Sequence, residues 1–111
     1  MGTLMKIHYR PFQSDDLMIP LHTPRMGGIG AWLNDDLIGR GLLTIWRDVG
    51  EISDLWVDEA YRNRGIGAEI IRELAKVARS RGVHFIEIGV GDDNPSARRL
   101  YERLGFVAHR R

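Results

Sequence analysis

The sequence predicts an α+β domain with a mixed, mostly antiparallel sheet, and three observations carry that prediction. Between residues 29 and 57, apolar and β-branched runs alternate with short polar turns, the pattern of an antiparallel meander. After Gly65 and Gly67, the residues Ile66, Ile70, Leu74, Val77 and Ala78 recur at helical spacing and make one apolar stripe. A strand pattern follows at residues 84–90, so strand, helix and strand form a βαβ unit whose two strands are parallel.

The 111 residues suit one domain spanning residues 1–111. With 43% hydrophobic and 28% charged residues, the composition is that of a globular chain and excludes disordered, collagen-like and coiled-coil classes. A net charge of +1 gives no electrostatic case for nucleic acid or an anionic membrane as partner. The absence of cysteine removes disulfides, thiolate zinc sites and cysteine nucleophiles. No apolar run approaches the roughly 20 residues that span a bilayer, so a soluble, cytoplasmic protein is the expectation.

Taken in order, residues 4–10 alternate as a first strand that Pro11 ends. Ser14-Asp15-Asp16 can cap a helix, but Pro20, Pro24 and Gly27-Gly28 restrict it to a stub. Strands are expected at residues 29–33, 37–46 and 51–57, with turns at 34–36 and 47–50. Strict alternation in the last of these puts Ile52, Asp54 and Trp56 on one face, and Glu51, Ser53, Leu55 and Val57 on the other. Gly82 is placed to close the long helix in a left-handed conformation. A second helix is expected to start with Asn94 as cap and Pro95 in the first turn, to present Ala97, Leu100, Tyr101 and Leu104 on one face, and to close at Gly105. Phe106-Val107-Ala108-His109 can begin a last strand.

The chemistry concentrates at Arg62-Asn63-Arg64-Gly65-Ile66-Gly67-Ala68, where a strand and a charged turn lead into two glycines at a helix start. Free N–H groups and the positive end of the helix dipole suit an anion such as a diphosphate, and two arginines add charge. No Gly-Lys-Ser/Thr follows, so this is not a Walker loop. Ile70 stands where a dinucleotide fingerprint needs a small residue. Read alone, the glycines also fit plain tight packing. The histidines His8, His22, His84 and His109 show no metal spacing, and Trp32, Trp46 and Trp56 lack interleaved basic residues, so they read as sheet packing rather than a base-stacking platform.

A second stretch, from Asn94 through Arg98-Arg99-Leu100-Tyr101 to Gly105-Phe106, resembles the C-terminal signature of the GCN5-related N-acetyltransferases, the GNAT superfamily. Residues 62–68 resemble that superfamily's acetyl-CoA motif, Arg/Gln-x-x-Gly-x-Gly/Ala, and together the two signatures cover about half of the chain. The resemblance implies a GNAT-like acyl-CoA N-acyltransferase fold with a splayed parallel strand pair. It further implies that backbone groups of Leu55, Trp56 and Val57 hold the pantetheine arm of acetyl-CoA. The N–H groups of Arg62, Asn63, Arg64, Gly65, Ile66, Gly67 and Ala68 would hold its pyrophosphate, and Asn94 would contact the arm. Tyr101 would protonate the leaving thiolate, a role that a phenol of pKa about 10 can fill; Tyr101 also fits the buried stripe of its helix. The acetyl group would pass directly to a primary amine, which must be neutral to attack and so calls for a base. Glu51, six residues before Val57, has the spacing of the catalytic glutamate in histone-acetylating members, with Asp54 and Glu87 as rivals. No metal is implied.

Two departures from the family accompany these matches. The two helices expected between the first and second strands are shortened here to a stub, and at most one strand fits after Phe106. An unpaired sheet edge invites strand addition, which predicts a homodimer. The shortened segments also admit a second reading, a non-catalytic acyl-CoA-binding or sensor module of the same fold.

Overall fold

A computed structural model describes residues 6–12, 26–89 and 95–108. Five strands form one sheet in sequence order: β1 (Ile7–Pro11), β2 (Met26–Leu33), β3 (Asp36–Trp46), β4 (Val49–Val57) and β5 (Phe85–Ile88). The first four are successively antiparallel, and β4 pairs with β5 in parallel across the helix α1 (Ile66–Ser80). A second helix, α2 (Pro95–Arg103), follows.

The core lies between α1 and one sheet face. Ile38, Leu43, Ile52, Ile66, Ile70 and Leu74 are its most deeply buried large side chains, each contributing roughly 1.5–3 kcal/mol of burial. The helix fits closely because β3 presents glycine beneath it. A Cβ on Gly41 would come within 2.9 Å of Leu74 Cδ1, and one on Gly39 within 3.1 Å of Ile70 Cδ1. Gly39 and Gly41 therefore mark the helix side of β3, and Arg40 between them points to the opposite, outer side.

Both helices end as the expected glycines require. Gly82 has φ 78°; its N–H donates to the Arg79 carbonyl and that of Val83 to the Ala78 carbonyl, both at 3.0 Å. Gly105 has φ 99°, with Gly105 N–H on Glu102 O and Phe106 N–H on Tyr101 O, again at 3.0 Å. These are paired Schellman closures.

Four expectations are corrected. β1 runs one residue further than expected, Pro11 being its last residue and lying opposite Ile29, because an edge strand tolerates the missing donor. β2 starts at Met26 rather than at Ile29, so Gly27 and Gly28 belong to it; a Cβ on Gly28 would come within 2.9 Å of both Phe12 Cδ2 and Leu42 Cδ2, so glycine is what seats Phe12 there. The turn between β3 and β4 is only Arg47-Asp48, with Arg47 at φ 57°. No strand forms at residues 106–108, where Val107 is 87% exposed and no neighbouring strand is paired with it. The helical stub expected after Ser14 falls on residues outside those described.

Candidate active site

The cradle begins where β4 ends. Asp58 anchors the turn twice: its N–H donates to Ile38 O at 2.8 Å, and its Oδ1 accepts from Ala60 N–H at 2.9 Å, capping a single 3-10 turn at Glu59–Tyr61. Arg62 Nε then donates to Val57 O at 3.1 Å and folds the loop back on the strand end. Asn63 (φ 64°) and Gly65 (φ 81°) both take the left-handed conformation that reverses the chain into α1. Gly65 is the N-cap and supplies no side-chain acceptor, and Glu69 N–H to Gly65 O is the first intrahelical bond. The N–H groups of Ile66, Gly67 and Ala68 therefore open into the turn with the positive end of the helix dipole. The Arg64 guanidinium lies 5.8 Å from the Tyr61 ring centroid, while the Arg62 N–H is already engaged with Glu59 O at 3.4 Å.

Beside the cradle lies a strand edge that is open among the described residues. Pairing between β4 and β5 covers only Val49↔Phe85 through Ile52↔Ile88, so residues 53–57 have no β5 partner. Within them the β3–β4 register jumps from Leu42↔Ser53 to Arg40↔Trp56, one extra residue on β4, and Asp54 stands at φ 51°. This β-bulge overturns the expected alternation. Ile52 (2% exposed), Leu55 and Val57 all pack toward the core, whereas Glu51 and Trp56 (36% exposed) do not. The extra residue shifts the side-chain phase by one, so Asp54 does not share a face with Ile52.

Helix α2 leans on the same corner. A Cβ on Gly67 would have Val57 Cγ2 at 3.6 Å and Leu100 Cδ2 at 3.7 Å, so strand end, cradle and α2 converge there. Next to Leu100, Tyr101 is 9% exposed and packs edge-on against Phe106, ring centroids 6.0 Å apart. Burial pushes its phenol above the usual tyrosine value, so the group keeps its proton through the neutral range. The Tyr101 hydroxyl has no hydrogen-bond partner among the described residues. Asn94 lies outside the described residues.

Of the three carboxylates proposed as base, two are brought together. Glu51 and Glu87 are register partners across β4 and β5, on the face away from α1, while Asp54 sits exposed on the bulge. Sequence reasoning passed over Arg40, whose Cζ lies 5.7 Å from the Trp56 ring centroid on that outer face; its flanking Gly39 and Gly41 were the available signal. No group of three metal-ligating side chains occurs among the described residues. A recess of about 390 Å³ lined by Pro11, Phe12, Met26, Val77 and Arg81 lies at the other end of α1 and touches none of these groups.

Comparison with known proteins agrees with this geometry. The acetyltransferase (GNAT) family model matches residues 3–106. The N-alpha-acetyltransferase RimI of Mycobacterium tuberculosis is 43% identical over 90 residues, 78% of this chain and 55% of that protein. A glucosamine 6-phosphate N-acetyltransferase of Trypanosoma brucei brucei is 38% identical over 65 residues, 59% of this chain and 42% of the relative. The chain thus spans about half the length of these relatives, and 26% of an uncharacterized N-acetyltransferase of Methanocaldococcus jannaschii. Among solved structures, the aminoglycoside N-acetyltransferase AAC(6')-Iy in complex with CoA superposes with a TM-score of 0.86 at 13% identity, covering 100% of this chain and 94% of that one, a likeness of fold.

Proposed function

Because the chain belongs to the GNAT acetyltransferase family, we propose that it is an N-acetyltransferase that moves the acetyl group of acetyl-CoA directly to a primary amine. The observation that carries this reading is the β4 edge at residues 53–57, unpaired with β5 among the described residues and ending beside the α1 N-terminus. An extended pantetheine arm would add there as a strand does, bonding to the backbone of Leu55, Trp56 and Val57. Its pyrophosphate would fall on the N–H groups of Ile66, Gly67 and Ala68, with Arg62, Asn63 and Arg64 around it.

In the reaction the amine lone pair attacks the thioester carbonyl carbon, the C–S bond breaks, and the products are an N-acetyl amide and CoA thiol. Tyr101 supplies the proton that the departing sulfur takes up. Glu51 accepts the proton lost by the amine, directly or through water, with Glu87 beside it. Relatives named for acetylating glucosamine 6-phosphate, and another named as an N-alpha-acetyltransferase, support an amine as acceptor.

No described helix is long and apolar enough to cross a membrane, and we place the activity in the cytoplasm. The outer edge of β5 has no strand beside it among the described residues, and a second copy aligned there would make a homodimer; a monomer by light scattering at working concentration removes that assignment. Release of free CoA thiol against polyamines, aminoglycosides, amino acids and peptide N-termini tests the activity. Turnover on one class, lowered tenfold or more by Tyr101→Phe, is the expected outcome. CoA binding with no turnover on any of them would leave a sensor module instead.

A further inference from the structure

The outer sheet face carries a row of register partners, Arg10, Gly30, Arg40 and Trp56, one from each of β1 to β4. Trp56 stands beside the bulge, at the strand edge assigned to the acyl donor. Arg40 is half-buried and lies over the Trp56 ring; among the described residues no hydrogen bond or ion pair holds its guanidinium. Across Gly30 from it lies Arg10, whose Cζ is 4.2 Å from the ring centroid of Trp32. A Cβ on Gly30 would stand 2.7 Å from Trp32 Nε1, and that indole N–H is buried with no acceptor. That indole is closed over by Phe12 and Leu37 and cannot take a ligand, whereas the half-buried Arg40 guanidinium is costly to leave unmatched, and what it lacks is an oxygen acceptor.

We propose that Arg40 is the specificity-determining residue of the acceptor site and that it receives an anionic group, carboxylate or phosphate, carried by the same molecule that presents the amine. This rests on the acetyl-transfer reading above. The same outer face holds the opposite charge further along. Glu51 and Glu87 share the row of Thr44, four residues from Arg40 on β3, roughly 13 Å at about 3.3 Å per residue. One face thus offers carboxylates toward an ammonium or amine and a guanidinium toward an anion, with the open strand edge between them. A zwitterionic acceptor satisfies both ends, whereas a polycationic one leaves Arg40 facing like charge. The Trp56 ring under the guanidinium holds it in place without consuming its N–H donors, which stay available for a bidentate bond.

The test uses pairs of amines that differ in one charge: an amino sugar with and without a 6-phosphate, and a short peptide ending in carboxylate or in amide. Acetyl transfer to each is measured with the wild type, Arg40→Ala and Arg40→Lys. The expected result is that the wild type favours the anionic member of one pair by about tenfold or more in kcat/KM, chiefly through KM. In Arg40→Ala that ratio falls toward one, and in Arg40→Lys it falls part of the way. The pair that shows the effect tells phosphate from carboxylate. Equal use of both members by the wild type, or an unchanged ratio in Arg40→Ala, overturns the proposal while leaving acetyl transfer standing. If no amine is acetylated, the activity reading falls, and calorimetric titration of the same pairs into CoA-loaded protein decides the Arg40 assignment: tighter binding of the anionic member that Arg40→Ala abolishes upholds it, and equal binding overturns it.

Discussion

Phe106 N–H donates to Tyr101 O at 3.0 Å while the two rings meet edge to face at 6.0 Å, so one residue closes α2 and props the proposed acid at once. Phe106→Ala should cost about 2 kcal/mol, below the roughly 3–5 kcal/mol of a fully buried phenylalanine because Phe106 is only partly buried, and lower acetyl transfer as well. Tyr101→Phe should leave thermal stability nearly unchanged and lower only the rate. Melting curves and initial rates on the two variants separate the prop from the acid.

The pH dependence of stability follows from two phenols. Burial raises Tyr101, and burial followed by the charges of Glu69 and Glu73 raises Tyr9. The unfolded chain ionises each near the ordinary value of about 10, and the folded chain only above it. Their contribution is therefore fully present below pH 10 and is lost as pH rises through the raised folded values. Denaturation midpoints should fall above pH 10, and fall less steeply in Tyr9→Phe and Tyr101→Phe.

The two cradle glycines should behave in opposite ways. Gly65 holds φ 81°, where a side chain is strained; Gly65→Ala should cost about 1 kcal/mol. Gly67 lies in the helix, and a Cβ there meets only ordinary contacts at 3.6 and 3.7 Å. Gly67→Ala should hold stability or raise it by up to about 1 kcal/mol. Thermal melts of the two single variants check both.

If Glu51 takes the amine proton, Glu51→Gln should lower kcat about tenfold or more at pH 7. The deficit should shrink as pH rises, because a larger share of the acceptor amine is already neutral. Glu87→Gln should have the smaller effect, and the double variant should show coupling, since the two are register partners. A full pH–rate profile of all three reads this directly.

Much of the frame was legible because its signals are local. The α1 stripe, Gly65 at the helix start, Gly82 and Gly105 as left-handed closures and Pro95 in a first turn each announce themselves within a few residues. What escaped depends on contacts distant in sequence. Gly27-Gly28 looks like a break until Phe12 is known to lie over it. Arg40 looks like any exposed strand residue until Trp56 is brought beside it from the next strand. The phase of β4 past Ser53 was lost because alternation assumes no bulge, and Asp54, a residue that tolerates the left-handed region, was its faint local mark.

That bulge makes the opening beside β4 a matter of contour length. Between two rungs of the ladder β4 spends three steps where β3 spends two, from Ser53 to Trp56 against Leu42 to Arg40. The surplus bends the strand past the point where β5 ends. Exchanging Ser53 or Asp54 for another residue keeps the count and should keep the slot. Deleting either takes up the slack, leaves Trp56 opposite Arg40 on the outer face and draws the edge straight, so the proposed donor's place along β4 is written in a number of residues more than in their identity.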